Sequence, residues 1–271
     1  MNERLTTFDY DPTAPLDVQE SGGEQKHGVS VRDISYASPG RGRVKAYWIV
    51  PPGHGPFAGL IFVHPAPGDR TNFLEEAVML ARHGAASLLI EAPWAQGEAW
   101  GRTMGEPEHD RQEHTQTVID VRRAIDLVTA QPEVDADRIG YVGHSFGALF
   151  GGMLAGVERR IKSFVLMAGV GSFTDIAAFN MPMQNEMALE AYRQGLAPID
   201  PIHYIGRAAP SALFFQLARQ DMFPRDKLMA YVEAGSEPKR VAWYDADHFS
   251  VSDAGRNDRM KWLQTELDLS D

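Results

Sequence analysis

The pentapeptide Gly143-His144-Ser145-Phe146-Gly147 has the residue types of an activated serine nucleophile. A serine hydroxyl attacks an acyl carbon well only when a base removes its proton as the bond forms. It must also project from the backbone. A G-x-S-x-G pattern achieves this in a sharp strand-to-helix turn, where glycines remove side chains that would collide across the bend. The helix that follows points free N–H groups and a positive dipole end at the nucleophile. The surroundings fit, because an apolar run at 138–142 (RIGYV) leads in and a segment rich in small residues, 148–157, leads out.

The elements that must position such a turn are legible on either side. Short, continuously apolar runs at 60–63, 86–90, 139–142, 164–168, 212–217 and 241–244 read as strands buried on both faces. Helical periods at about 73–82, 115–129, 225–234 and 252–267 alternate with them. Thr71 or Asn72 is a candidate cap for the first of these, and Gly84 its stop. Two further strands, 29–37 and 43–50, are joined at Ser38-Pro39-Gly40 and read as an antiparallel pair. Residues 1–28 are polar and turn-rich and read as an irregular arm, and 92–112 as a long loop holding Trp94 and Trp100. The alternation implies one α/β domain with a mostly parallel central sheet and helices on both faces. A largely helical, Met-rich insertion at 170–209 interrupts it after the sixth of these strands.

In such a sheet, catalytic groups gather on loops beyond the C-terminal ends of the strands. Four of these loops carry polar residues of interest: 64–69 (HPAPGD), Ser145, 219–221 (RQD) and 245–249 (DADHF). Their order, Ser then Asp then His, is that of the α/β-hydrolase triad. The stretches 134–148 (VDADRIGYVGHSFGA) and 244–249 (YDADHF) resemble the elbow and histidine loop of the dienelactone-hydrolase-like esterases, and the resemblance extends over most of the chain. It implies an α/β-hydrolase fold, ester hydrolysis, and an insertion that covers the site as a lid. Dienelactone hydrolases proper use a cysteine, whereas this chain has Ser145 and no cysteine, which sets its substrate apart from theirs.

The roles follow from residue type. His248 is the candidate base, and an aspartate should hold its tautomer and stabilise the imidazolium. Four aspartates compete. Asp247 adjoins His248 and neighbouring side chains in an extended loop point apart; Asp245 closes a strand; Asp226 in a first helical turn is explained by the helix dipole. Asp221 sits just past a buried strand where nothing structural requires a carboxylate, and is the expected acid. Oxyanion donors are expected from the N–H of Phe146 and from the loop after His64. Pro65 and Pro67 have no N–H, which leaves Ala66, with Gly68 second.

Other residues have plainer readings. His144 is expected to serve packing and His64 to order its loop. His109 and His114, near Glu108, Asp110 and Glu113, read as a polar face on a solvated loop rather than as a metal site. Trp94, Trp100, Met181, Met183 and Met187 could be either packing or the wall of a substrate pocket, since methionine suits adaptable apolar surfaces.

Composition narrows the function classes. A formal net charge of −11 with no basic block argues against nucleic-acid and anionic-membrane partners. The absence of cysteine removes disulfides, thiolate metal sites and a cysteine nucleophile, and fits a reducing compartment. With no signal-like N-terminus and no long apolar run, the cytoplasm is expected. No cofactor and no metal are implied, and nothing specifies an oligomer. Peptidases of the prolyl-oligopeptidase type share the triad order but carry a large accessory domain, for which 271 residues leave no room. A non-catalytic binding protein on the same scaffold would not need candidates in all three triad loops. A serine hydrolase acting on a small to medium ester is therefore the expectation.

Overall fold

The computed structural model describes residues 6–180, 185–249 and 252–270. Its centre is a nine-stranded sheet in the order β1-β2-β3-β5-β4-β6-β7-β8-β9. The strands are β1 Gln19–Lys26, β2 Val29–Ser38, β3 Gly42–Val50, β4 Phe57–Val63, β5 Ala85–Ile90, β6 Val134–His144, β7 Ile161–Met167, β8 Ala212–Gln220 and β9 Lys239–Asp247. Pairing is antiparallel from β1 through β3 to β5, and parallel from β5 through β4 to β9.

Alternation of side chains explains the run-like look of the central strands. In β4, Phe57, Ile61 and Val63 enter one apolar layer while Ala58, Leu60 and Phe62 enter the other. Neither face of the strand meets water, so both phases of the period are apolar. One layer is closed by α3 Pro107–Thr129, α4 Phe146–Val157 and α7 Arg225–Ala234. The other is closed by α1 Leu74–Ala81 and α8 Asp253–Glu266. This is the architecture expected from the alternation of strands and helices, a mostly parallel sheet covered on both faces.

Three local expectations are corrected. First, the 1–28 arm contains β1, an edge strand whose residues are polar and nearly all exposed. It joins β2 through backbone hydrogen bonds with an irregularity between Glu20 and Gly22, so it has no apolar period to read. Second, α3 begins at Pro107 rather than near 115, and residues 92–112 are not one long loop. Proline stands in the first turn, where its missing N–H is harmless. The next residues, EHDRQEH, bury Asp110 and His114, so the buried face is polar and hides the helical period. Third, neither Thr71 nor Asn72 caps α1: Asn72 Oδ1 instead accepts from the Asp69 N–H at 2.7 Å, tightening the turn before the helix. At α8 Ser252 does cap, accepting from the Gly255 N–H at 3.0 Å.

Between β7 and β8 lie α5 Phe173–Asn180 and α6 Glu186–Leu196, followed by single 3-10 turns at Ala197–Ile199, Pro201–His203 and Ile205–Arg207. The buried Asp200 carboxylate accepts from Phe173 N–H (2.9 Å) and Ser172 Oγ (3.0 Å), closing the segment onto the start of α5. The short α2, Glu98–Gly101, precedes α3. No helix among the described residues is long and apolar enough to cross a membrane.

Candidate active site

Ser145 stands between β6 and α4 with φ 53° and ψ −113°, a left-handed conformation that a residue with a Cβ adopts only under constraint. The constraint comes from both sides. Ser145 N–H donates to Met167 O of β7 at 2.8 Å, while its carbonyl accepts from Ala148 and Leu149 in the first turn of α4. The flanking glycines are required by close approach. A Cβ on Gly143 would stand 2.3 Å from Gly147 O, and one on Gly147 would stand 2.2 Å from Val63 O. Tyr141, buried under the turn, donates its hydroxyl hydrogen to Gly147 O at 2.6 Å. The elbow is thus wedged against β4 and pinned from below.

His248 and Asp221 meet the serine there. Nε2 of His248 lies 2.9 Å from Ser145 Oγ, and Nδ1 lies 2.9 Å from Asp221 Oδ1. A carboxylate oxygen can only accept, so Nδ1 carries the hydrogen and Nε2 is the free acceptor facing the hydroxyl. All three side chains are buried. Asp221 is itself held by the Phe223 N–H, which donates to the same oxygen at 3.0 Å. The competing aspartates are engaged elsewhere. Asp245 accepts from Gln220 Nε2, Asp247 accepts from Phe249 N–H, and Asp226 lies in the first turn of α7.

Two histidines assigned to packing or loop order also touch this machinery. His144 is buried, and its Nε2–H donates to the backbone carbonyl of His248 at 2.7 Å. Burial pushes its pKa down to about 4, only partly opposed by that hydrogen bond, so the ring is neutral near pH 7. His64 is pushed down to about 4 for the same reason. Its Nε2 accepts from Ala92 N–H at 3.1 Å, which leaves Nδ1–H to donate to Pro65 O at 2.9 Å. Trp94 Nε1–H donates to the same carbonyl at 2.9 Å. The loop carrying Ala66 is therefore held by a histidine and a tryptophan. The sequence hint for His64 was its position after a buried strand; for His144 no local signal exists, because its partner lies 104 residues away.

Phe146, the residue after the serine, borders a cavity of about 240 Å³ whose walls also include Ala66, Trp94, Trp100, Met104 and Ile176. Ala66 and Phe146, the two expected oxyanion donors, thus border the same space, as do both tryptophans. Trp94 is the fixed wall, stacked on Phe150 with centroids 5.3 Å apart and packed edgewise on Trp100. Gly68 instead packs into the 65–72 turn, where a Cβ would meet Asn72 Oδ1 at 2.7 Å. Met187 is not part of the cavity wall: on α6 it is 78 % exposed. A methionine-rich composition carries no facing information, and α6 presents its first turn to solvent. Met181 and Met183 lie outside the described residues. Met104 and Ile176, not singled out in the sequence, contribute the apolar wall instead. His109 and His114 are on α3, not on a solvated loop, and His114 is buried against Phe173 with centroids 4.2 Å apart. Among the described residues no three His, Cys, Asp or Glu side chains form a group able to hold a metal ion.

Solved structures share this fold at low sequence identity. An acetyl xylan esterase from Paenibacillus sp. R4 superposes with a TM-score of 0.78 at 20% identity, covering 98% of this chain and 93% of that one. Acetyl xylan esterase 1 from Thermoanaerobacterium sp. JW/SL YS485 gives 0.77 at 17%, covering 97% and 92%. An S-formylglutathione hydrolase from Agrobacterium tumefaciens gives 0.70 at 19%, covering 92% and 99%. Residues 60–265 match the sequence profile described as "Alpha/beta hydrolase family". That span runs from the core of β4, through the serine elbow, into α8, and the chain belongs to the alpha/beta hydrolase family.

Proposed function

We propose that the protein is a serine hydrolase that cleaves the carboxylic ester of a small to medium, uncharged substrate through an acyl-enzyme on Ser145. The observation that carries this reading is the unbroken hydrogen-bonded chain Asp221–His248–Ser145, with both bonds at 2.9 Å. In the first step Ser145 Oγ bonds to the ester carbonyl carbon while His248 Nε2 takes the hydroxyl proton. Asp221 steadies the imidazolium. The oxyanion is met by N–H groups of Phe146, at the head of α4, and Ala66. Collapse breaks the bond to the alcohol oxygen, which leaves with the proton from His248. Water then attacks the acyl-enzyme with His248 again as base, releasing the acid and restoring Ser145.

The apolar cavity bordered by Phe146 supports an uncharged acyl group of limited length, and the net charge of −11 disfavours polyanions. The esterase names of the similar structures accord with ester chemistry. The lack of cysteine is compatible with work in the cytoplasm. The test is hydrolysis of p-nitrophenyl esters of increasing acyl length beside aminoacyl-nitroanilides, with fluorophosphonate labelling in parallel. Short and medium esters should turn over, and Ser145→Ala should abolish both turnover and labelling. A folded Ser145→Ala protein with full activity would overturn the mechanism, and better turnover of long polymeric or polyanionic substrates the substrate class.

A further inference from the structure

Asp110 is a buried carboxylate that the proposed reaction does not use. On α3, it has one oxygen, Oδ2, that accepts two hydrogen bonds, from Gly105 N–H and from Tyr192 Oη, both at 2.9 Å. Its other oxygen, Oδ1, is buried with no hydrogen-bond partner among the described residues. Burial pushes its pKa up, and the two donors oppose that only in part. A half-satisfied buried carboxylate is costly, so its presence here calls for a reason beyond the stability of one helix.

The reason lies in what the two donors belong to. Gly105 ends the segment that carries Trp100, Gly101 and Met104 into the wall of the cavity. Hydrogen bonds from 98 to 104 close within that segment: Gly101 to Gly97, Arg102 to Glu98, Thr103 to Trp100 and Met104 to Gly101. Gly105 lies two residues before α3, and its bond to Asp110 folds the far end of the segment back onto the first turn of that helix. Tyr192 belongs to α6, in the insertion between β7 and β8. Next to it, Gly195 approaches Pro107 so closely that a Cβ would stand 2.5 Å away. One turn further along α3, His114 stacks on Phe173 of α5, the helix that contributes Ile176 to the cavity.

From this geometry we infer that Asp110 is a positioning residue for acyl selectivity, clamping the Trp100–Met104 wall and the α6 insertion to α3 through a single oxygen. The inference rests on the hydrolase reading for its substrate and on the two bonds for its structure. Because both bonds use Oδ2, the amide oxygen of Asn can take them over. A protonated carboxyl keeps them as well, so the clamp is not a pH switch even with Glu106, His109 and His114 nearby.

The experiment compares wild type, Asp110→Ala, Asp110→Asn and Tyr192→Phe on p-nitrophenyl acetate and p-nitrophenyl hexanoate. Hydrogen exchange at Gly105 is followed on the same proteins. Asp110→Ala should lower kcat/KM for hexanoate relative to acetate roughly tenfold, mainly through KM, since apolar pocket contacts discriminate on that scale. It should also speed exchange at Gly105. Asp110→Asn should restore both, and Tyr192→Phe should fall between. An unchanged hexanoate-to-acetate ratio in folded Asp110→Ala overturns the inference, as does failure of Asn to rescue. If Ala does not fold, wild-type selectivity and exchange in Tyr192→Phe overturn it. Should wild type hydrolyse neither ester, the hydrolase reading fails separately, and unaltered Gly105 exchange in Asp110→Ala would then overturn the clamp.

Discussion

His144 Nε2–H donates to the carbonyl oxygen of His248 at 2.7 Å, so the residue before the serine holds the backbone of the proposed base. The two ends of the Ser145–His248 bond are thereby tied twice, once through side chains and once through this link. Burial keeps the His144 ring neutral, and it therefore acts as a donor without competing for the catalytic proton. Replacing it by leucine should free the histidine loop and lower kcat about 10²-fold with little change in KM, the scale expected of a misplacement near 1 Å. Glutamine, which can place an N–H at the same carbonyl, should recover most of the loss. Equal kcat in His144→Leu and wild type would show that the link does not position His248.

Asp221 is the carboxylate that reaches His248, while Asp226, five residues on, lies at the start of α7. Asp221→Asn should therefore lower the rate by up to ~10⁴, through the wrong imidazole tautomer. Asp226→Asn should leave it nearly unchanged. Steady-state kinetics on one ester decide the matter, and the reverse ranking would reassign the acid.

Gly147→Ala tests the elbow as a steric device. The new methyl would be placed 2.2 Å from the Val63 carbonyl, a backbone atom in the buried strand β4 that cannot rotate away. Destabilisation of about 3 kcal/mol or more is expected, at the upper end for overpacking. Denaturant unfolding measures it, and a change under half that size would mean the turn relaxes more easily than its contacts imply.

Three buried histidines give the stability a contribution that is lost in acid. His64 and His144 are each pushed down to about 4 and His114 to about 3, all by burial, against an ordinary value near 6.5. At these three sites the folded state therefore binds fewer protons than the unfolded one from about pH 6.5 down to about 4, and at His114 down to about 3. Their contribution is complete above that window and is lost as pH falls through it. Asp200, pushed up to about 6, and Asp110, Asp120 and Glu266, also raised by burial, work in the opposite sense and favour the folded state at lower pH, so the histidine contribution is read by removing one histidine at a time. His114 sits among Phe146, Phe150 and Phe173, so His114→Phe keeps an aromatic ring there. It should reduce the acid slope by up to ~1.4 kcal/mol per pH unit. Parallel stability curves for the two proteins between pH 4.5 and 7 would exclude His114 as a source.

What could be read from the sequence is what local sterics and short-range periodicity enforce. Gly143 and Gly147 flank Ser145 in a pattern that declares a turn; the Gly143 clash is with Gly147 itself and so is local, whereas the Gly147 clash with Val63 of β4 arises only in the folded sheet. The buried strands declare themselves because both faces are apolar, and the alternation with helices carries the sheet's direction. Ser145, Asp221 and His248 stand out as candidates because each lies on a loop past such a strand, and Asp221 is set apart from Asp226, Asp245 and Asp247 because those three have plainer placements. Tertiary contact decided the rest. The polar strand β1 exists only as a partner of β2, and the first turns of α3 bury Asp110 against Tyr192 and His114 against Phe173, elements far later in the chain. Composition leaves the methionines open between packing and pocket wall; Met187 faces water, while Met104 and Ile176 form the wall. Which apolar side chain meets a cavity depends on how helices pack across the sheet, and a residue's identity carries no record of that direction.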